Sequence, residues 1–207
     1  MSGHDFAAMK AALRAGTAVQ VAVAPQLFPT PAPVVARMLE LLDLDSWNGE
    51  AWDTLRILEP SAGTGNLIAA VLESQPEAHV VAVEVNAALA GELMRKYANG
   101  KDCSVICGDF LKLQPEKTPD INCSPFDAVI MNPPFGGGAW REHLRHAWRF
   151  VMPGGRLAAV LPQAPDVEKV CKELCTCGSF ERLPDNTFAG TGVRTVLALL
   201  ENQEIPE

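Results

Sequence analysis

Positive charge is scarce in this 207-residue chain: 17 Lys and Arg stand against 25 Asp and Glu, a formal net charge of −8. A protein that grips nucleic acid over a broad surface by itself carries a basic footprint, and none covers the chain as a whole. Long apolar runs are absent too. None approaches the roughly 20 residues that span a bilayer, so no membrane partner is expected. The first residues, Met1-Ser2-Gly3-His4-Asp5, offer no basic region ahead of an apolar stretch. A secretory signal is therefore not expected, and the expected compartment is the cytoplasm. The six cysteines show no pairing pattern. Cys103 and Cys107 share one face of a short strand and read as small buried hydrophobes. Cys171, Cys175 and Cys177 lack a fourth ligand and the hairpin spacing of a zinc site, so no metal is expected. No repeat or low-complexity segment appears. With 48% hydrophobic and 20% charged residues, the chain suits one domain with a sizeable core.

Chemistry enters at the end of an apolar run, Phe126-Asp127-Ala128-Val129-Ile130-Met131, which leads into Asn132-Pro133-Pro134-Phe135. The Asn132 side-chain oxygen can accept a hydrogen bond. Pro133 has no N–H but keeps a carbonyl whose direction the ring fixes. Phe135 offers a face for stacking. Two acceptors aimed at one NH₂ group draw its lone pair out of conjugation, which is what methylation of a planar amine requires. In isolation such a tetrapeptide more often just ends a strand and plugs a core.

A second motif changes that balance. Leu55-Arg56-Ile57-Leu58-Glu59-Pro60-Ser61-Ala62-Gly63-Thr64-Gly65-Asn66-Leu67 reads as a buried strand, a glycine-rich turn and a helix start at Asn66. Glycines 63 and 65 permit positive φ and a close approach of backbone to ligand. A second strand, His79-Val80-Val81-Ala82-Val83, ends in Glu84. A carboxylate at that tip is placed to accept both ribose hydroxyls of an adenosine cofactor. The turn lacks the third glycine of a pyrophosphate binder, so a cofactor with a nucleoside and no phosphate fits it better than a dinucleotide.

With these motifs the chain resembles the class I S-adenosylmethionine-dependent methyltransferases that carry an NPPF or NPPY amino-methyltransferase motif, most of all the adenine-N6 DNA methyltransferases. The resemblance spans about residues 26–201, with the motif for the cofactor's carboxylate end placed first. It implies an α/β Rossmann-like fold, a mostly parallel seven-stranded sheet with an antiparallel last strand and helices on both faces. It also implies S-adenosyl-L-methionine as cofactor. Gln26-Leu27-Phe28-Pro29-Thr30-Pro31 matches the opening motif and puts Phe28 and Thr30 at the cofactor. Glu59, Ala62, Gly63 and Gly65 match the methionine-binding turn, and Glu84 the ribose acid. In Gly108-Asp109-Phe110 the aspartate matches the residue that meets the cofactor's adenine amino group, with Phe110 beside it. Asn132, Pro133, Pro134 and Phe135 match the catalytic motif, Asn132 also bordering the cofactor. The implied reaction is direct displacement without metal or covalent intermediate.

Strands alternate with helices along the chain, as in a parallel sheet covered on both faces. Helices are expected over 5–15, 34–42, 66–73 and 87–98. Strands are expected over 104–106, over 156–161 behind the turn Pro153-Gly154-Gly155, over 180–183, and antiparallel over 194–200. The segment 18–24 is ambiguous between strand and buried loop, 45–54 is a loop with two tryptophans, and 112–125 a polar loop. Residues 1–25 read as an N-terminal helical extension and 26–207 as the methyltransferase domain. The sequence stops seven residues after the last strand, so no separate target-recognition domain is expected, and specificity would come from loops or a protein partner.

Arg141, Arg145 and Arg149 recur every four residues and form one helical stripe just after the catalytic motif. The stripe reads either as phosphate contacts of a nucleic-acid substrate or as a solvated helix face, with Leu144 and Trp148 facing the core. Phe188, in a glycine-containing loop, reads either as a wall against the substrate base or as part of a plain turn. Three acceptors compete: adenine in DNA, adenine in RNA with a partner subunit supplying charge, and a protein glutamine amide. The opening motif and the segment 188–195 favour DNA.

Overall fold

Strands that are apolar at nearly every position need cover on both faces, and the computed structural model provides it. It describes residues 28–46, 54–98, 102–115, 125–175, 177–188 and 191–203. The helix expected over 5–15, the segment 18–24 and both loop tryptophans fall outside them. Seven strands form one sheet: β1 (Arg56–Glu59), β2 (His79–Glu84), β3 (Cys103–Cys107), β4 (Phe126–Met131), β5 (Val151–Pro162), β6 (Gly178–Arg182) and β7 (Thr195–Glu201). Their order is β3-β2-β1-β4-β5-β7-β6. Every pairing from β3 to β5 is parallel, and β7 runs antiparallel to both of its neighbours. This is the expected class I arrangement. No helix among the described residues is long and apolar enough to cross a membrane.

Among the described residues five α-helices cover the sheet: α1 (Ala32–Leu42), α2 (Asn66–Ser74), α3 (Ala87–Lys96), α4 (Trp140–Trp148) and α5 (Val167–Leu174). Alternation along each strand sorts side chains between two cores. Ile57, Val80, Ala82, Ile130 and Val160 pack with Val34 and Met38 of α1, Ile68 and Val71 of α2, and Leu93 of α3. Leu58, Val81, Val83, Met131 and Leu161 pack with Trp140 and Leu144 of α4 and Val167 and Val170 of α5. Phe126 and Phe150 are fully buried in this second core, each contributing roughly 1.5–3 kcal/mol relative to exposure.

Several boundaries differ from the expectation for local reasons. β5 begins at Val151 because the strand runs through the Pro153-Gly154-Gly155 turn as an irregularity, with the register against β4 shifting between Phe126 and Ala128. A Cβ on Gly155 would lie 2.8 Å from the Asp127 carbonyl. On α4 the fully buried aromatic is Trp140, one turn ahead of Leu144, while Trp148 is only partly buried. Cys107 is exposed, unlike Cys103, since it sits at the outer end of an edge strand.

The chain leaves β1 toward β2 and β3 on one side, and β4 and β5 lie on the other. The reversal opens a crevice at the carboxyl ends of β1 and β4, where open α/β sheets bind ligands.

Candidate active site

At that crevice lies a cavity of about 650 Å³. Its wall includes Phe28 and Thr30 before α1, Glu59, Ala62 and Gly63 after β1, Glu84 ending β2, Asp109 and Phe110 after β3, and Asn132 to Phe135 after β4. Segments scattered over about a hundred residues thus converge on one volume.

Glu84 is 8% exposed, and backbone N–H groups hold both of its carboxylate oxygens. Gly63 N donates to Oε2 at 2.7 Å and Asn86 N to Oε1 at 2.7 Å. Each oxygen keeps further lone-pair capacity and the residue lines the cavity, so the carboxylate is held in place before any ligand arrives. Asn86 also caps α3, accepting from Ala88 and Leu89. Gly63 has φ 53°, the left-handed conformation that brings its N–H round to Glu84. Gly65 serves differently. It does not line the cavity; its φ of 78° opens α2, and a Cβ there would come within 2.6 Å of Leu93 Cδ2. Its place is helix packing.

Glu59 is 2% exposed, and its Oε2 is buried without a hydrogen-bond partner. Burial pushes the carboxyl well above the usual carboxylate range, opposed by the Ile68 backbone N–H and reinforced by the nearby charge of Glu84. Asp109 accepts from Leu111 N at 3.1 Å through one oxygen, while the other lies 3.7 Å from Lys112 Nζ. Two wall residues had no motif to announce them. Val85, directly after Glu84, is 72% exposed and borders the cavity; a hydrophobe in the first loop position after a strand-tip acid was the available signal. His143 on α4 also borders it, with its ring 6.2 Å from that of Phe110. Its Nδ1 donates to the Ala139 carbonyl at 3.0 Å. The nearby His146, outside the wall, donates through Nε2 to Leu113 O at 2.9 Å, and burial lowers its pKa.

The centre of the arrangement is Asn132. Its Nδ2 donates to the Phe28 carbonyl at 2.9 Å and to Thr30 Oγ1 at 3.1 Å. A carbonyl can only accept, so the amide nitrogen must face the opening segment and Oδ1 the other way. Pro133 is buried, and among the described residues no N–H donates to its carbonyl. Phe135 is half-buried at the seam between the two cores and lines the cavity.

The other residues expected to meet a substrate lie apart from the cavity. Arg141 makes a two-pronged pair with Asp166, Nε at 2.7 Å and Nη2 at 2.6 Å, and stacks over Trp140. Arg145 pairs with Glu173 at 2.7 Å. Arg149 is exposed, with no acidic partner among the described residues. Phe188 is 6% exposed and belongs to the core beside Leu183 and Leu197, where burial of its ring outweighs presenting it to a ligand.

The family model for the methyltransferase small domain matches residues 44–181, two thirds of the sequence. The chain belongs to that family. This methyltransferase small domain is similar to the type II methyltransferase M.XamI of Xanthomonas campestris pv. amaranthicola, at 32% identity over 112 residues. The match takes in 51% of this chain and 19% of that relative, so it spans about a fifth of the relative's length. Among solved structures it is similar to a protein described as a class I S-adenosylmethionine-dependent methyltransferase from Listeria monocytogenes (TM-score 0.68, 21% identity, covering 98% of this chain and 68% of that one). It is also similar to a protein described as the modification subunit of a type I restriction enzyme from Vibrio vulnificus (TM-score 0.69, 20% identity, 95% and 48%), and to the 23S rRNA methyltransferase ErmE (TM-score 0.63, 17% identity, 87% and 71%). At these identities the likeness is one of fold. S-adenosyl-L-methionine is the cofactor of this class, and the cavity residues fit it. Glu59 Oε2 is an unpaired buried acceptor for an ammonium, Glu84 an aimed acceptor for a diol, and Val85 with Phe110 an apolar border for a flat ring.

Proposed function

We propose that the chain transfers a methyl group from S-adenosyl-L-methionine to the exocyclic N6 amino group of adenine in DNA. One observation carries the reading: the Phe28 carbonyl, which can only accept, takes its hydrogen bond from the Asn132 NH₂ along with Thr30 Oγ1, so the amide presents Oδ1 away from the opening segment. A planar amine brought to the motif would meet two acceptors, Asn132 Oδ1 and the Pro133 carbonyl, and one aromatic face, Phe135. Engaging both N–H bonds turns the nitrogen lone pair out of the ring's conjugation. When bound, the cofactor would supply a methyl group on a sulfonium: the S–C bond breaks as the N–C bond forms, leaving a neutral thioether, and the methylated nitrogen gives up one proton to solvent. The protein's own contribution is position and orientation. Phe28, Thr30, Glu59, Ala62, Gly63, Glu84, Asp109 and Phe110 hold the donor side. A duplex base would have to leave its stack to reach Asn132, and Phe135 replaces part of the stacking it loses.

Similarity to a type II methyltransferase and fold likeness to the modification subunit of a restriction enzyme support DNA as the nucleic acid. The pairing of Arg141 with Asp166 and Arg145 with Glu173 supports a role for a protein partner that adds positive charge and target specificity. The test is incubation with tritiated cofactor and separate DNA, RNA and protein pools. Label in DNA upholds the reading. Label confined to RNA or to glutamine amides replaces it.

A further inference from the structure

A second concavity, about 810 Å³, lies between α5 and the edge strand β6. Phe180 and Arg182 of β6 point into it, while the alternation sends Glu181 to the opposite face, where it pairs with Arg37. Val196 of β7, opposite Arg182 in the register, adds an apolar base. Lys169 and Lys172 border the groove from α5. The acids on that border are already engaged, Glu168 with Lys172 at 3.4 Å and Glu173 with Arg145 at 2.7 Å. Lys169 and Arg182 have no acidic partner among the described residues. Between residues 140 and 182 the sequence has seven Lys and Arg against five Asp and Glu, the reverse of the chain's overall balance. At the end of β5, Gln163 adds a side-chain oxygen that is buried and has no hydrogen-bond donor.

Free cations, an aromatic face on an apolar base and an unpaired acceptor together match a nucleotide better than a simple anion or an apolar ligand. The cations suit a phosphate, the ring stacks on a base, and the acceptor suits an amino group on that base's edge. The fold sets the spacing. Asn132 follows Met131, which is level with Ala159 of β5; Ala159 pairs with Ala198 of β7, and Ala198 with Phe180 of β6. Three strand-to-strand steps of about 4.8 Å therefore put Phe180 on the order of 14 Å from Asn132. That is about four nucleotides along a stacked strand, at roughly 3.4 Å each.

We propose that this groove is a second subsite, which holds a nucleotide flanking the target base on the same DNA strand. Phe180 stacks the base, Gln163 Oε1 accepts from its edge, and Lys169 and Arg182 take the adjacent phosphates. The proposal rests on the nucleic-acid reading above and deepens it, because it assigns substrate binding to a part of the surface outside the catalytic motif.

The test uses the full chain, a fluorescent oligonucleotide with a single adenine, and the variants Phe180→Ala and Lys169→Gln/Arg182→Gln. Each variant should weaken oligonucleotide binding about tenfold, within the range for loss of one stacked base. The double variant should also flatten the salt dependence by roughly 0.7–0.9 in slope per lost contact. KM for the oligonucleotide should rise while kcat at saturation and cofactor affinity stay unchanged. Because the double variant alters exposed side chains, its melting temperature should match the wild type. An oligonucleotide with 5-iodouracil placed about three to five nucleotides from the adenine should photo-crosslink to the peptide containing Phe180. Wild-type affinity in both variants, or crosslinks only outside the groove, with adenine methylation intact, overturns the subsite and leaves the proposed function standing. A wild-type chain that neither binds nor methylates any oligonucleotide overturns both.

Discussion

The cavity at the strand ends and the charged face of α4 are built by different rules. Along β1, β2 and β4 the polar side chains at the cavity are buried or half-buried and oriented mainly by backbone groups. Glu84 is held by two N–H groups, and Asn132 by a carbonyl and a hydroxyl. On α4, beside β5, the charged groups are partly or fully exposed and held by carboxylates of α5 and the residue before it, Arg141 by Asp166 and Arg145 by Glu173. A buried group that loses its partner carries the full desolvation cost, so its geometry is fixed in advance. An exposed ion pair is worth about 0–1 kcal/mol and can exchange a carboxylate for a phosphate at little cost. The cavity side is therefore rigid before ligand arrives, and the α4 face is adaptable.

The sharpest way to break this comparison is Asn132→Ala. It should lower kcat by about 10²–10³-fold, the scale for removing one preorganised polar group at a reacting centre, with cofactor affinity within about threefold by calorimetry. Near-normal turnover would make the motif structural. Next comes Glu84→Ala, which should cost about 1.5–3 kcal/mol of cofactor binding and leave the N–H groups of Gly63 and Asn86 without their acceptor. Unchanged affinity in a folded variant would remove Glu84 from the cofactor. Phe135→Ala should leave cofactor affinity intact and weaken acceptor binding by roughly 1–3 kcal/mol, read from the oligonucleotide Kd.

Glu59 sharpens the rigid half through pH. Burial, and secondarily the Glu84 charge, raises its folded-state pKa above the ordinary 4.5. The folded chain then keeps a proton that the unfolded chain releases. That contribution to stability is fully present below pH 4.5 and is lost as pH rises from there toward the raised folded value. Urea unfolding from pH 4.5 to 8 should show wild-type stability declining in this window more steeply than that of Glu59→Gln. Parallel curves would mean that Glu59 is not buried as an acid. At the adaptable end, Arg145→Gln should change folding stability by no more than about 1 kcal/mol, measured in the same titration; a larger loss would show the pair to be structural.

The sheet was legible because parallel strands announce themselves as apolar runs, and the cavity wall because its residues sit at strand tips and in the turns that follow them. Ile57 to Glu59, Val80 to Glu84 and Val129 to Asn132 all fell where their sequence neighbours required. What orients Asn132 was not legible, since Phe28 and Thr30 lie 104 and 102 residues away and no local pattern encodes that contact. Gly65 sat in the motif, yet its neighbour Leu93 shows that packing claims it. Arg141 and Arg145 formed the expected stripe on α4, but a helical period says nothing of the acids that α5 and the residue before it bring alongside. Phe188 looked available because its loop is glycine-containing, whereas its surroundings depend on Leu183 and Leu197 from β7 and the end of β6.

The most direct test is a single-turnover reaction of the wild-type chain with S-adenosyl-L-methionine and a DNA oligonucleotide carrying one adenine, followed by nucleoside mass spectrometry. The account predicts one methyl group, on the N6 of that adenine, and none when Asn132→Ala is used under the same conditions. A methyl group on another base or on the protein, or full adenine methylation by Asn132→Ala, would contradict it.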